Sequence, residues 1–154
     1  MIVWKLTKQQ FLAGHSQGSA MNPFDIVIGS LREPAWLHGM EVILASDPSF
    51  ATAPIRRGPI DFAHQLLLRL RPDDTWEPVG CYMDDSLGLK ASIQGRGLST
   101  ELILRCSLHR PVPKSRKMTD EGFGALARAH RIAVKAAVDA GLPVAADVRS
   151  HYGL

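Results

Sequence analysis

Apolar and polar side chains alternate from His64 to Arg71, and the run ends on Pro72-Asp73-Asp74-Thr75. Side chains along an extended segment change sides at every residue, so Leu66, Leu68 and Leu70 share one face and Gln65, Leu67 and Arg69 the other. Proline presets one backbone dihedral and aspartates accept from nearby amides, which makes residues 72–75 a turn. Trp76 to Leu89 then reads as the returning strand. The pattern predicts an antiparallel hairpin. The chain has 154 residues, 45% of them apolar and 21% charged. That is enough for one domain with one hydrophobic core, and the balance is that of an ordered chain.

The other elements follow from local signals. Residues 1–39 form an irregular N-terminal part, in which Thr7 caps a short helix through Phe11 and Leu12 that Gly14 and Gly18 end. A short strand is expected near Asp25-Ile26-Val27-Ile28 and another at Met40 to Ala45. Pro48, Pro54, Gly58 and Pro59 make residues 48–59 a loop. After the hairpin, a polar loop at Gln94 to Gly97 leads into a helix from Leu98 to His109, in which Leu98, Leu102 and Cys106 recur every four residues. Pro111 and Pro113 end it. Thr119 caps a last helix, with Asp120 and Glu121 complementing its positive start. Phe123, Leu126, Ala127, His130, Ala133, Val134, Ala137 and Val138 form its buried stripe, opposite Arg128, Arg131, Lys135 and Asp139. Ala140-Gly141-Leu142-Pro143 stops it.

Charge and composition narrow the function. The formal net charge of +3 suits an acidic ligand such as a nucleotide cofactor but is too small an excess to demand nucleic acid. The densest basic stretch, Arg110 to Lys117, holds two prolines and no aromatic residue on which a base could stack, so it reads as a solvated linker. No apolar run nears the roughly 20 residues that span a bilayer. The N-terminal residues do not form a secretory signal, and Cys81 and Cys106 lack metal-ligand spacing, so a cytoplasmic protein with reduced thiols is expected.

The chemistry-bearing segment is Gln94-Gly95-Arg96-Gly97-Leu98-Ser99, between a strand and a helix. A helix start leaves backbone N–H groups without partners and carries partial positive charge. Glycines before it let an anion approach the backbone, and Arg96 adds a formal charge.

Together with Gly80-Cys81-Tyr82-Met83-Asp84-Asp85-Ser86-Leu87-Gly88-Leu89, this segment resembles the GNAT N-acetyltransferase superfamily. Its motif is Gln/Arg-x-x-Gly-x-Gly/Ala after a central strand. Gln94, Gly97 and Ser99 fall on the three fixed positions, the last a departure from the pattern. The resemblance implies an α/β (α+β) fold: a mixed, mainly antiparallel sheet flanked by helices, with a V-shaped opening beside the strand ending near Leu89. Residues 40–110 would be the cofactor-binding core and 118–141 a C-terminal helix. It further implies that Gln94, Gly95, Arg96, Gly97, Leu98 and Ser99 hold the pyrophosphate of acetyl-CoA, while Leu87, Gly88 and Leu89 pair with the pantetheine arm. Acetyl transfer to an amine acceptor would follow by direct attack, with Asp84 or Asp85 as the base, against a β-bulge or a solvated strand end as the other reading of the pair.

After its motif helix the family continues with a strand, a helix and two more strands. Here only Val144 to Val148 offers a further strand, which leaves the C-terminal half incomplete. The short C-terminal part suggests a homodimer completing the sheet, and a non-catalytic acyl-CoA binder or interaction module is the alternative function. Tyr152 is the candidate acid, against a surface packing role. His130 reads as a hydrogen-bonded core residue, and Cys81 as a buried, inert thiol. Trp36 and Trp76 fit either a cleft or the core. The remaining histidines show no ligand spacing, so no metal is expected.

Overall fold

The computed structural model describes residues 2–19, 24, 42–56, 60–83, 86–107 and 116–154. Its main element is a five-stranded sheet in sequence order: β2 (Ile43–Leu44), β3 (Phe50–Arg56), β4 (Ile60–Leu70), β5 (Trp76–Met83) and β6 (Ser86–Leu89). Every neighbouring pair in it is antiparallel. β1 (His15–Ser16) and β7 (Arg116–Lys117) form a separate two-stranded parallel ladder. The helices are α1 (Lys8–Leu12), α2 (Leu98–Ser107), α3 (Asp120–Asp139) and α4 (Ala146–Ser150). The fold is α+β. The parallel pairing expected within a mixed sheet is confined, among the described residues, to the small ladder.

The hairpin of β4 and β5 forms where alternation predicts it, around a turn in which the Asp73 carboxylate accepts from the Thr75 amide at 3.1 Å. Asp74 takes the left-handed conformation there, at φ 64°. The register shifts between Leu67 and Leu68, so Val79 is an extra residue on β5. Leu66, Leu67 and Leu68 are all fully buried, which means that both faces of the sheet centre are covered.

Two expectations are corrected. Residues 48–59 are not all loop, since Phe50–Arg56 is a strand between β2 and β4. Pro54 is tolerated because β2 pairs only with Ala51 and Thr52, and because the β3–β4 register shifts just after it. The single strand expected from Trp76 to Leu89 is two. Met83 pairs with Ser86, and β6 runs antiparallel to β5. The Met40–Ala45 strand is observed as Ile43–Leu44, and the Asp25–Ile28 strand and Trp36 lie outside the described residues.

α2 lies against β4 and β5 on one side and α3 on the other. A helix held between two layers must be apolar over a wide arc, and Leu98, Leu102, Ile103 and Cys106 are all buried. Its first turn is fastened to the β2–β3 turn, where a Glu101 oxygen accepts from the Ser46 amide at 2.9 Å and also from the Ser46 hydroxyl. α3 begins at Thr119, whose hydroxyl accepts from the Gly122 amide at 3.1 Å. It closes with paired bonds, from Gly141 to the Val138 carbonyl and from Leu142 to that of Ala137, with Gly141 at φ 73°. Its expected stripe is turned inward, and Ala125 and Ala129 join it.

After α2, none of the described residues joins the five-stranded sheet. The segment offered as a further strand is helical from Ala146 onwards, as α4. β6 is therefore the last strand in the sheet order.

Candidate functional site

The site forms where β6 ends. Lys90 bonds Glu77 at 2.9 Å, and Glu77 also holds Arg69 at 3.0 Å. Hydrogen bonds from Lys90 and then Arg69 keep the Glu77 carboxyl below its ordinary value. The Lys90 amide donates to the Val79 carbonyl at 2.9 Å. Antiparallel ladders alternate, so Leu87 and Leu89 direct their backbone N–H and C=O groups away from β5. The Leu89 carbonyl accepts from the Gln94 side-chain amide at 3.2 Å, which ties the loop to the strand end.

A 3-10 turn at Ala91–Ile93 leads from β6 into that loop. Gly95 and Gly97 adopt φ 79° and φ 76°, conformations that side chains with a Cβ resist. A Cβ at either would have nothing within 4 Å, so these glycines border open space. Leu98 is buried and anchors the start of α2, while Gln94, Gly95, Arg96 and Gly97 are exposed.

Between this loop and α3 lies a cavity of about 240 Å³. Leu87, Gly88 and Leu89 line it from β6, and Ile93, Gln94, Gly95, Leu98 and Ser99 from the loop and the start of α2. Consecutive strand side chains point to opposite faces, so lining by three residues in a row marks the strand's edge. Thr119, Glu121, Gly122 and Arg128 of the α3 cap and helix form the facing wall.

Seven of the nine residues read as cofactor-binding therefore share one cavity, and Arg96 and Gly97 stand in the same loop outside its lining. Asp84 and Asp85 lie outside the described residues. Sequence reasoning missed the α3 wall. Arg128 is exposed, as the helix pattern predicts, yet it and the exposed Glu121 also line the cavity. Within the lining they are the one carboxylate and the one formal cation. Nothing local could have revealed this, because the wall depends on how α3 packs against α2.

The other candidates fall away from the cavity. Cys81 is fully buried, and burial pushes its thiol up to about 12, as suits a packed apolar group. His130 is buried and fully hydrogen-bonded. Its Nε2 donates to the Leu6 carbonyl at 2.7 Å, and its Nδ1 accepts from the Tyr152 hydroxyl at 2.6 Å. Tyr152 is thus held by His130 and does not line the cavity. Burial raises its phenol above the ordinary range. Trp76 pairs with Leu70 at the hairpin turn and likewise does not line the cavity. Among the described residues no group of three or more metal-ligating side chains comes together, and no helix is long and apolar enough to cross a membrane.

Compared with models of known protein families, with curated proteins and with solved structures, the chain matches none.

Proposed function

We propose that the cavity receives the pantetheine arm and pyrophosphate of acetyl-CoA and that the protein transfers the acetyl group to an amine. The observation that carries this reading is the meeting, in one cavity, of a strand edge and a glycine loop opening a helix. A pantetheine arm bears two amides, and the outward backbone groups of Leu87 are matched to such a chain. Amides from Gln94 to Ser99 are matched to a diphosphate, since Gly95 and Gly97 leave the approach open. The cavity is below the usual ~300–1,000 Å³ of whole-ligand pockets. It suits a slender chain inside with the nucleotide at the surface.

When bound, acetyl-CoA supplies an activated acyl thioester. The chain's own part is to orient the arm along β6, to hold the diphosphate at α2, and to remove a proton from the amine. Glu121 is the lining residue able to accept that proton, which would pass to the coenzyme A sulfur released as the thioester C–S bond breaks. A Leu87 amide directed outward is suited to a carbonyl oxygen that gains negative charge.

A second reading, binding of acyl-CoA without transfer, is favoured by the sheet ending at β6 among the described residues. One experiment addresses both. Calorimetric titration of acetyl-CoA should show saturable binding that Gly97→Trp abolishes, because a bulky side chain would fill the approach to the loop. Thioester consumption with an amine panel should follow. Binding without turnover selects the second reading, and no binding at millimolar ligand rejects both.

A further inference from the structure

Arg128 lines the cavity from α3. Helical side chains lean towards the N-terminus, so the Arg128 side chain runs back over residue 124. That residue is glycine, and a Cβ there would lie 3.2 Å from Arg128 Nη1. A Cβ at 124 would therefore make the guanidinium give by a few tenths of an ångström. Glycine in the interior of a helix is unfavourable, so its presence at this position asks for a reason.

The surroundings of the guanidinium are informative. Arg128 makes no hydrogen bond or ion pair among the described residues, even though Glu121 lines the same wall. Opposite it stand Gln94, Gly95 and Ser99, at the N-terminal end of α2. Two sources of positive potential thus border one cavity from different elements. A guanidinium presents a planar fork of donors that suits phosphate oxygens.

We infer that Arg128 is a binding residue for a diphosphate, gripping it from α3 while the α2 amides hold it from the other side, with Gly124 giving the guanidinium its room. That the diphosphate is part of coenzyme A rests on the function proposed above; the grip itself needs only the anion.

The test is calorimetry on the full chain with coenzyme A, 3′-dephospho-coenzyme A and inorganic pyrophosphate. The variants are Arg128→Gln and Gly124→Ala, with Arg131→Gln, exposed and absent from the cavity lining, as the equal-charge control. Arg128→Gln should weaken all three ligands about tenfold, the loss of one charge-assisted contact. Gly124→Ala should raise Tm, as alanine in a helix does, and yet weaken the same ligands by displacing the guanidinium. Arg131→Gln should leave affinity unchanged.

A loss with coenzyme A that disappears with the dephospho form would assign Arg128 to the 3′-phosphate and overturn the diphosphate grip. Pyrophosphate binding that depends on Arg128, without coenzyme A binding, would sustain the grip and reject the acyl-CoA reading. Unchanged affinities in Arg128→Gln, or no binding of any of the three by the unaltered protein, would overturn the inference. Undiminished affinity in Gly124→Ala would remove the role given to the glycine.

Discussion

Helix α3 takes part in two sites of opposite construction. At its start, Thr119, Glu121, Gly122 and Arg128 face a cavity across which backbone groups and a guanidinium border open space. Farther along, His130 is sealed from solvent and both of its ring nitrogens are bonded. Phe11 lies against the imidazole at 5.5 Å between ring centroids, and Tyr152 at 5.6 Å. The imidazole joins three parts of the chain: the residue before α1's cap, α3, and the end of the chain after α4. Hydrogen-bonding capacity used up inside the protein contributes to stability. Capacity left facing a cavity is available to a ligand.

That contrast breaks most directly at the histidine. His130→Ala should lower unfolding free energy by about 3 kcal/mol, since it strands the Leu6 carbonyl and the Tyr152 hydroxyl and leaves a void. Denaturant titration measures the loss. Acetyl-CoA affinity under native conditions should stay where it was, and a parallel loss of affinity would mean that the two sites are not separate.

The pH dependence is a gentler probe of the same difference. Burial, ahead of the charges of His151 and Lys8, lowers the His130 pKa in the folded protein below its ordinary 6.5, against the pull of its Leu6 bond. The unfolded chain then binds a proton more readily than the folded one. The His130 contribution is complete above pH 6.5 and is lost as pH falls through the folded value, with a slope of at most about 1.4 kcal/mol per pH unit. Unfolding followed across this range should show the slope, and His130→Ala should flatten it.

On the cavity side the expected stability effect is the smallest. Gly97→Ala should cost about 1 kcal/mol, because the left-handed conformation resists a Cβ while open space removes any clash. A cost near that for His130→Ala would show that the loop belongs to the packed structure and not to an open site.

Legibility follows the range of the interactions. The turn at Pro72–Thr75 was readable because its bonds connect near neighbours, as were the Thr7 cap of α1 and both ends of α3. The glycine loop before α2 was readable for the same reason, being a local signal, whereas Leu87–Leu89 entered only through the resemblance. β3 was not. Pro54 within it, with Pro48 and Pro59 beside it, argues for a loop, and only pairing with β4 decides that Pro54 falls where β2 no longer reaches. The split of β5 from β6 was missed because apolar and small residues continue on both sides of Asp84-Asp85, and the antiparallel course of β6 shows only in the pairing of Met83 with Ser86.

By itself the sequence determined the hairpin, the α2 helix, the α3 helix with its caps, and the loop whose glycines open the start of α2. These depend on dihedral preferences, caps and periodicity, which act over a few residues. Tertiary structure alone decided that Glu121 and Arg128 stand across from Gln94 and Ser99, and that His130 finds its partners at Leu6 and Tyr152. Such neighbours are chosen by burial of the α2–α3 interface and by the need to satisfy buried polar groups, and neither leaves a mark within a short stretch of chain.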